Sequence, residues 1–418
     1  MTNDGLSQAL EARQARGRRI AATSKVRMTR DELWLVPSES NGGTYLVDMI
    51  EQTCTCPDHM DNHFMCKHIH AVTYTRLRTI DENGTVVTTE KLKISYSQNW
   101  SAYNKAQCTE KAHVQQLLRG LCDGIVQPPH VRGRPSLPLS DVIYGSVMKV
   151  YTTFSGRRAT TDVKDCEAKG LIEHAPHYNS IFNYLGRAEL TPLFKALIEE
   201  SALPLKAIES QFAVDATGFG TSTYSRWYDY KFGREMRYMN WLKAHAMVGV
   251  RTNVVTSIEV TEGDKHDSPQ FAGLVASTAK RFNVKEVSAD KAYLSHDNLD
   301  AVAAVGGVPY IPFKSNNKAE GPEQWQKLWH CFWYRRGEFD HHYHQRSNSE
   351  TTFSMIKRKF GGSVRSKKHD SQVNEVLAKV LCHNLAVLVH EVHELGIAPE
   401  FWGSVSSPLG LAAHPGLR

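Results

Sequence analysis

The chain has 418 residues, 41% of them hydrophobic and 22% charged, so it is long enough for two or three domains with a sizeable core. Its net charge is +6 and its pI about 8.7, a mild lean toward a polyanionic partner. The composition argues against a membrane protein and a disulfide scaffold: the most apolar stretch, Val376 to Leu395, is broken by Lys379, His383, His390, Glu391 and His393, the N-terminus is too polar for a signal peptide, and the eight cysteines are crowded or scattered rather than evenly spaced.

In chain order, residues 5–22 are expected to form a basic helix, within a segment carrying Arg13, Arg16, Arg18, Arg19, Lys25, Arg27 and Arg30 against only Asp4 and Glu11. Strand-like runs follow at Glu32 to Val36 and Thr44 to Met49. Cys54, Cys56, Cys66 and His68 come next, with one residue inside each pair and nine between the pairs. Two close pairs of soft or borderline ligands suit a closed tetrahedral Zn²⁺ site, with no position left for water, so its role would be structural. The apolar stretch His68 to Leu77 is expected to be a helix carrying the last ligand. This C-x-C, spacer, C-x-H pattern after two strands resembles the SWIM zinc finger, a family associated with DNA and protein binding. His59, His63 and His70 are read as polar loop or helix-surface histidines.

Residues 98–124 read as a helix, and Gln127 to Pro138, with four prolines, as a linker. Helical patterns then occupy Leu139 to Phe154, Asp162 to Leu171, Ser180 to Leu185 and Leu190 to Ser201. With Arg157, Arg158, Lys164 and Arg187 this segment is either a helix-turn-helix reader of DNA or a helical connector that packs on the next domain.

From residue 207 the pattern changes. Gln211 to Thr217, Trp241 to Arg251 and Asn253 to Val260 read as an antiparallel meander. Helix Pro269 to Phe282, strand Val284 to Asp290, helix Ser295 to Val305, strand Val308 to Phe313 and a helix from Tyr343 to Phe360 follow. Three strands, then helix, strand, helix, strand, helix is the order of a ribonuclease H-like mixed sheet flanked by helices. Such a sheet brings the middle of the first strand beside the fourth, and an isolated aspartate, Asp215 or Asp290, sits at the end of an apolar run in each. Carboxylates among apolar strands are costly unless neutralised, and hard divalent cations neutralise them.

Tyr343, Arg346, Glu350 and Lys357 are separated by 2, 3 and 6 residues. On a helix at about 100° per residue they fall within roughly 60° of one another, so a phenol, two cations and a carboxylate share a face. This spacing, after the two aspartates, resembles the Y-x2-R-x3-E-x6-K signature of DDE transposases of bacterial insertion sequences, over residues 205–390. The resemblance implies that Asp215, Asp290 and Glu350 bind two Mg²⁺ (or Mn²⁺) ions and catalyse cleavage and strand transfer at the ends of a DNA element. It also implies that Arg346 and Lys357 contact phosphates near the scissile bond and that Tyr343 positions the DNA end. The segment Gly263, His266, Asp267 is similar to a loop of the same family, with Asp267 read as a helix cap. Only 59 residues separate Asp290 from Glu350, so the large β insertion of some members is absent.

The remaining residues are read more plainly. Trp325, Trp329 and Trp333 are expected to pack in a core, Lys291 to reach a phosphate or lie exposed, and His341, His342 and His344 to form a solvated helix start or touch phosphate. The basic run Lys357 to Lys368 is expected to track a DNA backbone past two helix-ending glycines. The expected organisation is a zinc-binding ββα module (residues 1–80), a helix and linker (81–139), a helical DNA-binding segment (140–204), an α/β catalytic core (205–395) and a tail (396–418). The expected partners are double-stranded DNA, as terminal inverted repeats and target, and a second copy of the chain bound to it. The expected setting is the cytoplasmic nucleoid. A domesticated DNA-binding regulator and a metal-dependent nuclease are the other readings.

Overall fold

The computed structural model describes the chain apart from residues 1–2, 25, 31–32, 40–42, 50, 63–64, 76–78, 81–85, 88–98, 131–134, 222–230, 232–240 and 404–418. His63, the middle of the proline-rich linker and most of the C-terminal tail lie outside the described residues. Two compact units result, residues 1–99 and 100–418.

The first unit opens with α1 (Asn3–Thr23) and continues through β1 (Arg27–Arg30), β2 (Leu33–Pro37), β3 (Thr44–Asp48), β4 (Thr53–Cys54), α2 (Pro57–Asn62), α3 (Lys67–Thr75) and the short pair β5 (Thr79–Ile80) and β6 (Val86–Val87). The first four strands form an antiparallel sheet in sequence order, two strands more than the expected ββα module. Trp34, Val36, Val47, Ile69, Val72 and Ile20 make its core. α1 lies close on α3: a Cβ at Gly17 would meet the His70 Cβ at 2.6 Å and the Lys67 carbonyl oxygen at 2.9 Å. Glycine there trades helix stability for close approach. That packing buries His70, and His59 of α2 is also buried, so neither is the surface histidine expected from sequence.

The second unit begins with five helices: α4 (Trp100–Cys122), α5 (Leu139–Tyr151), α6 (Gly156–Ala168), α7 (Tyr178–Leu185) and α8 (Leu190–Ala202). Then come β7 (Gln211–Gly220), β8 (Trp241–Gly249), β9 (Val255–Glu262), α9 (Ser268–Ala279), β10 (Glu286–Ala289), α10 (His296–Ala304), β11 (Val308–Tyr310), α11 (Glu323–Tyr334), α12 (Arg336–Tyr343), α13 (Ser347–Phe360) and α14 (His369–Glu394). The five strands form one mixed sheet of order β11-β10-β7-β8-β9. β8 runs antiparallel to β7 and to β9, while β10 and β11 run parallel to β7.

Alternation along the strands divides the core between the two faces of this sheet. Phe212, Val214 and Met247 pack with α9 to α12, and Phe219, Ala246 and Ile258 pack with α4 to α8, α13 and α14. The helices before β7 therefore share one core with the sheet. α14 is long and apolar enough to cross a bilayer, yet 78% of its most apolar window is buried inside the protein. Its Asn384 fixes it there by bonding the Val255 backbone on both sides and the Ser201 hydroxyl. The tryptophans of α11 divide: Trp325 is buried against Phe313, Trp329 is half-buried, and Trp333 is 49% exposed.

Candidate active site

Asp215 lies in β7 and Asp290 immediately follows β10, and strand register explains their meeting. Ser288 pairs with Ala213 in the parallel ladder. Two residues on, side chains return to the same face, so Asp290, just past the C-terminal end of β10, lies beside Asp215 in the middle of β7. Each carboxylate uses one oxygen on the next backbone N–H: Ala216 donates to Asp215 at 2.8 Å and Lys291 to Asp290 at 2.7 Å. These local bonds fix the side-chain directions and leave the second oxygens for other partners. Lys291 itself is exposed.

Glu350 comes from the first turn of α13, on the same sheet face. The expected single helix from Tyr343 to Phe360 is not continuous. Tyr343 ends α12, residues His344–Arg346 form a 3-10 turn, and α13 starts at Ser347. The backbone stays right-handed throughout, with Arg346 at φ −53°, ψ −32°. The tighter pairing rotates Tyr343 relative to Glu350 without breaking the run. Gly361, at φ +85°, ends α13 where residues with a Cβ are disfavoured.

Arg346 stands between two of the carboxylates. Its guanidinium donates to Asp215 Oδ2 at 3.2 Å and to Glu350 Oε1 at 2.6 Å. The Ser349 hydroxyl also donates to Asp215 Oδ2, at 3.1 Å. Burial pushes the Asp215 carboxyl above the ordinary carboxylate range, and the Ala216 N–H, Arg346 and Ser349 only partly offset it. Tyr343 stacks on Phe339 with ring centroids 5.6 Å apart and faces Asp290, Asp215 and Arg346. The Lys357 ammonium donates to Thr217 Oγ1 at 2.6 Å, and burial lowers its pKa. All six residues of the sequence reading thus lie around the middle of β7, where β10 ends.

Two neighbours were not legible beforehand. Ser349 carries no signal, being one hydroxyl in the polar run Ser347 to Thr352. Tyr293 is buried, faces Asp215, Asp290, Asp267 and Arg346, and its hydroxyl has no hydrogen-bond partner among the described residues. Asp267 begins α9 but does not cap it: its carboxylate pairs with Lys243 at 2.5 Å and with His245 Nδ1 at 3.5 Å instead. His342 is not a solvated helix start either, since it pairs with Glu286 at 2.8 Å and stacks on Tyr310.

In the first unit, Cys54, Cys56, Cys66 and His68 are all buried, and their ligand atoms lie within 4.8 Å of one another. β4 carries Cys54, the turn after it Cys56, and the start of α3 presents Cys66 and His68. His68 Nδ1 is 3.8 Å from Cys66 Sγ. Its Nε2 is buried without a hydrogen-bond partner among the described residues. Sulfur–sulfur hydrogen bonding and burial push the Cys54 thiol up, while the hydrogen bonds of Cys54 and His68 hold Cys66 well below the ordinary thiol range. Three sulfurs and one imidazole nitrogen around a point form a possible metal site.

Residues 206–385 match the family described as the transposase DDE domain. The match supports a DDE transposase and takes in Asp215, Asp290, Glu350, Arg346 and Lys357. It spans β7 to most of α14, which is the mixed sheet and the helices on both its faces. No solved structure matches the chain.

Proposed function

We propose that the chain is a metal-dependent DNA transposase of cut-and-paste type with a ribonuclease H-like core. The observation that carries this reading is the meeting of Asp215, Asp290 and Glu350 where β10 ends beside the middle of β7, inside the segment that matches the transposase family. The sheet order, with β7 central and parallel only to β10 and β11, supports the fold assignment.

The donor set fits hard divalent cations such as Mg²⁺ or Mn²⁺, which prefer carboxylate oxygens. A guanidinium already lies between Asp215 and Glu350, so this cluster calls for positive charge. Asp215, Asp290 and Glu350 would hold the ions, which supply charge stabilisation to the attacking and leaving oxygens of a phosphodiester. The protein's own work is to fix the three carboxylates on a rigid strand pair and one helix, and to present cations to the phosphates. Arg346 and Lys357 serve that second role, and Tyr343 positions the strand end. Water attacks the phosphate at the element end, and the freed 3′ hydroxyl then attacks target DNA. Two ends are cut together, which calls for a dimer on terminal inverted repeats within the nucleoid. The cysteine–histidine cluster holds a structural Zn²⁺ in a SWIM-like module.

The test is excision of a donor segment bounded by the gene's native flanks, in Mg²⁺, by the intact protein and by Asp215→Asn and Glu350→Gln. Excision abolished by both substitutions, with DNA binding retained, is the expected result. Tight binding without excision by the intact protein would favour a regulatory DNA-binding protein, and cleavage without joining would favour a nuclease.

A further inference from the structure

Away from the carboxylates, α5, α6, α7 and the segment leading into α14 enclose a cavity of about 450 Å³. Its walls carry Lys149, Arg365, Lys367 and Lys368, and no carboxylate among the described residues lines it. Lys149 is the unusual member. It is only 5% exposed, and its ammonium lies 5.9 Å from the Phe182 ring without donating a hydrogen bond to any described residue. An ammonium held out of bulk water at a cavity wall favours an anion that enters the cavity. Glu375 faces Lys149 but commits both oxygens elsewhere, to the Arg365 and Ser366 backbone N–H groups and the Ser366 hydroxyl.

The helix ends add to the positive character. α6 starts at the cavity wall after Ser155, and α14 starts after Lys368, and neither N-cap residue makes a side-chain cap bond. Helices of 13 and 26 residues therefore turn first-turn N–H groups without a side-chain acceptor toward this region. Phe182, 42% exposed on the wall, offers an apolar surface beside the charge. A single short segment, Gly361 to Lys368, joins this cavity to α13, whose Lys357 reaches β7 near Asp215.

We infer that this cavity seats a phosphate of the DNA backbone, held by Lys149, the start of α6 and the Arg365–Lys368 segment, and so tethers DNA whose end lies at the carboxylates. The inference rests on the proposed DNA partner. A backbone phosphate is favoured over a free anion because the exposed Lys367 and Lys368 continue the basic surface outward from the buried lysine.

The experiment measures binding of a short labelled duplex of arbitrary sequence across a salt series in EDTA, for the intact protein, Lys149→Met and Ser155→Glu. Methionine keeps the stem volume and removes a buried charge, and a glutamate at an exposed helix start suits the helix dipole, so both variants should fold at least as stably. Affinity should fall roughly tenfold, and the slope of log K against log salt should lose about one unit in Lys149→Met. Unchanged affinity and slope in both variants would overturn the inference and leave the DNA-binding reading standing. Failure of the intact protein to bind duplex would overturn that reading as well. Inorganic phosphate that raises the melting temperature of the intact protein but not of Lys149→Met, with equal DNA affinity for both, would make this a free-anion site and also overturn the inference.

Discussion

Replacing Arg346 with methionine removes the guanidinium between Asp215 and Glu350 while keeping an apolar stem of similar length. The two lost contacts differ in worth. The Glu350 side chain is 60% exposed, so water screens that pair and its loss costs about 0–1 kcal/mol. Asp215 and Arg346 are 18% and 22% exposed, so the other pair is largely out of water. Stranding the Asp215 carboxylate costs more, although the Ala216 N–H and Ser349 hydroxyl remain, and about 2 kcal/mol in total is expected in metal-free solution.

The pH dependence gives this prediction its sharper test. Burial already raises the Asp215 carboxyl pKa, and removing Arg346 takes away one of the groups that lower it. A raised carboxyl pKa penalises the folded state where the group is ionised. That penalty is full above the folded pKa and vanishes where Asp215 is protonated in both states. The deficit of Arg346→Met against the intact protein should therefore be largest near neutral pH and shrink toward about pH 4. Urea denaturation in EDTA at the two pH values reads it directly. Mn²⁺ added at neutral pH should then stabilise the variant more than the intact protein, because a competing cation has gone. A variant as stable as the parent, or a deficit that does not change with pH, would refute the reasoning.

Two further outcomes are expected. Cys54→Ala or His68→Ala should lower zinc content and melt the first unit, read by metal analysis and limited proteolysis, while residues 100–418 stay folded; full zinc stoichiometry in both variants would count against the ligand assignment. His383 is buried at 3% exposure, its Nε2 lies 2.8 Å from the Asn253 carbonyl oxygen, and burial lowers its pKa to about 4. With an unfolded value of about 6.5, the unfolded chain takes up the proton first as pH falls. Its contribution is thus fully present above about pH 6.5 and lost toward pH 4, on the order of 3 kcal/mol. His383→Gln should flatten that limb of the stability curve, and an unchanged slope would show that another group titrates there.

Much of the second unit is written in local pattern. The apolar runs ending at Val214 and Ala289, each closed by an aspartate, marked β7 and β10, because strands at the centre of a sheet are buried on both faces. The spacing of Tyr343, Arg346, Glu350 and Lys357 marked the cluster's helical side, although a 3-10 turn divides it. Short strands were harder: β1 and β4 have four and two residues, too few for any period to register. His342, Asp267 and Tyr293 were misjudged or missed because Glu286, Lys243 and, for Tyr293, Asp215 and Arg346 lie far away in sequence.

By itself the sequence determined most of the helices and strands of the second unit, which residues are chemically able to hold zinc and divalent cations, and that Asp215, Asp290 and Glu350 belong in one argument. Those properties depend on residue type and short spacing. Only the tertiary structure decided the register that sets Ser288 of β10 opposite Ala213 of β7, that Arg346 bridges two carboxylates, and that Lys149 is buried in a basic cavity beside α6 and α14. Each of those is a pairing across many residues, fixed by strand register and by the packing of helices on a sheet face.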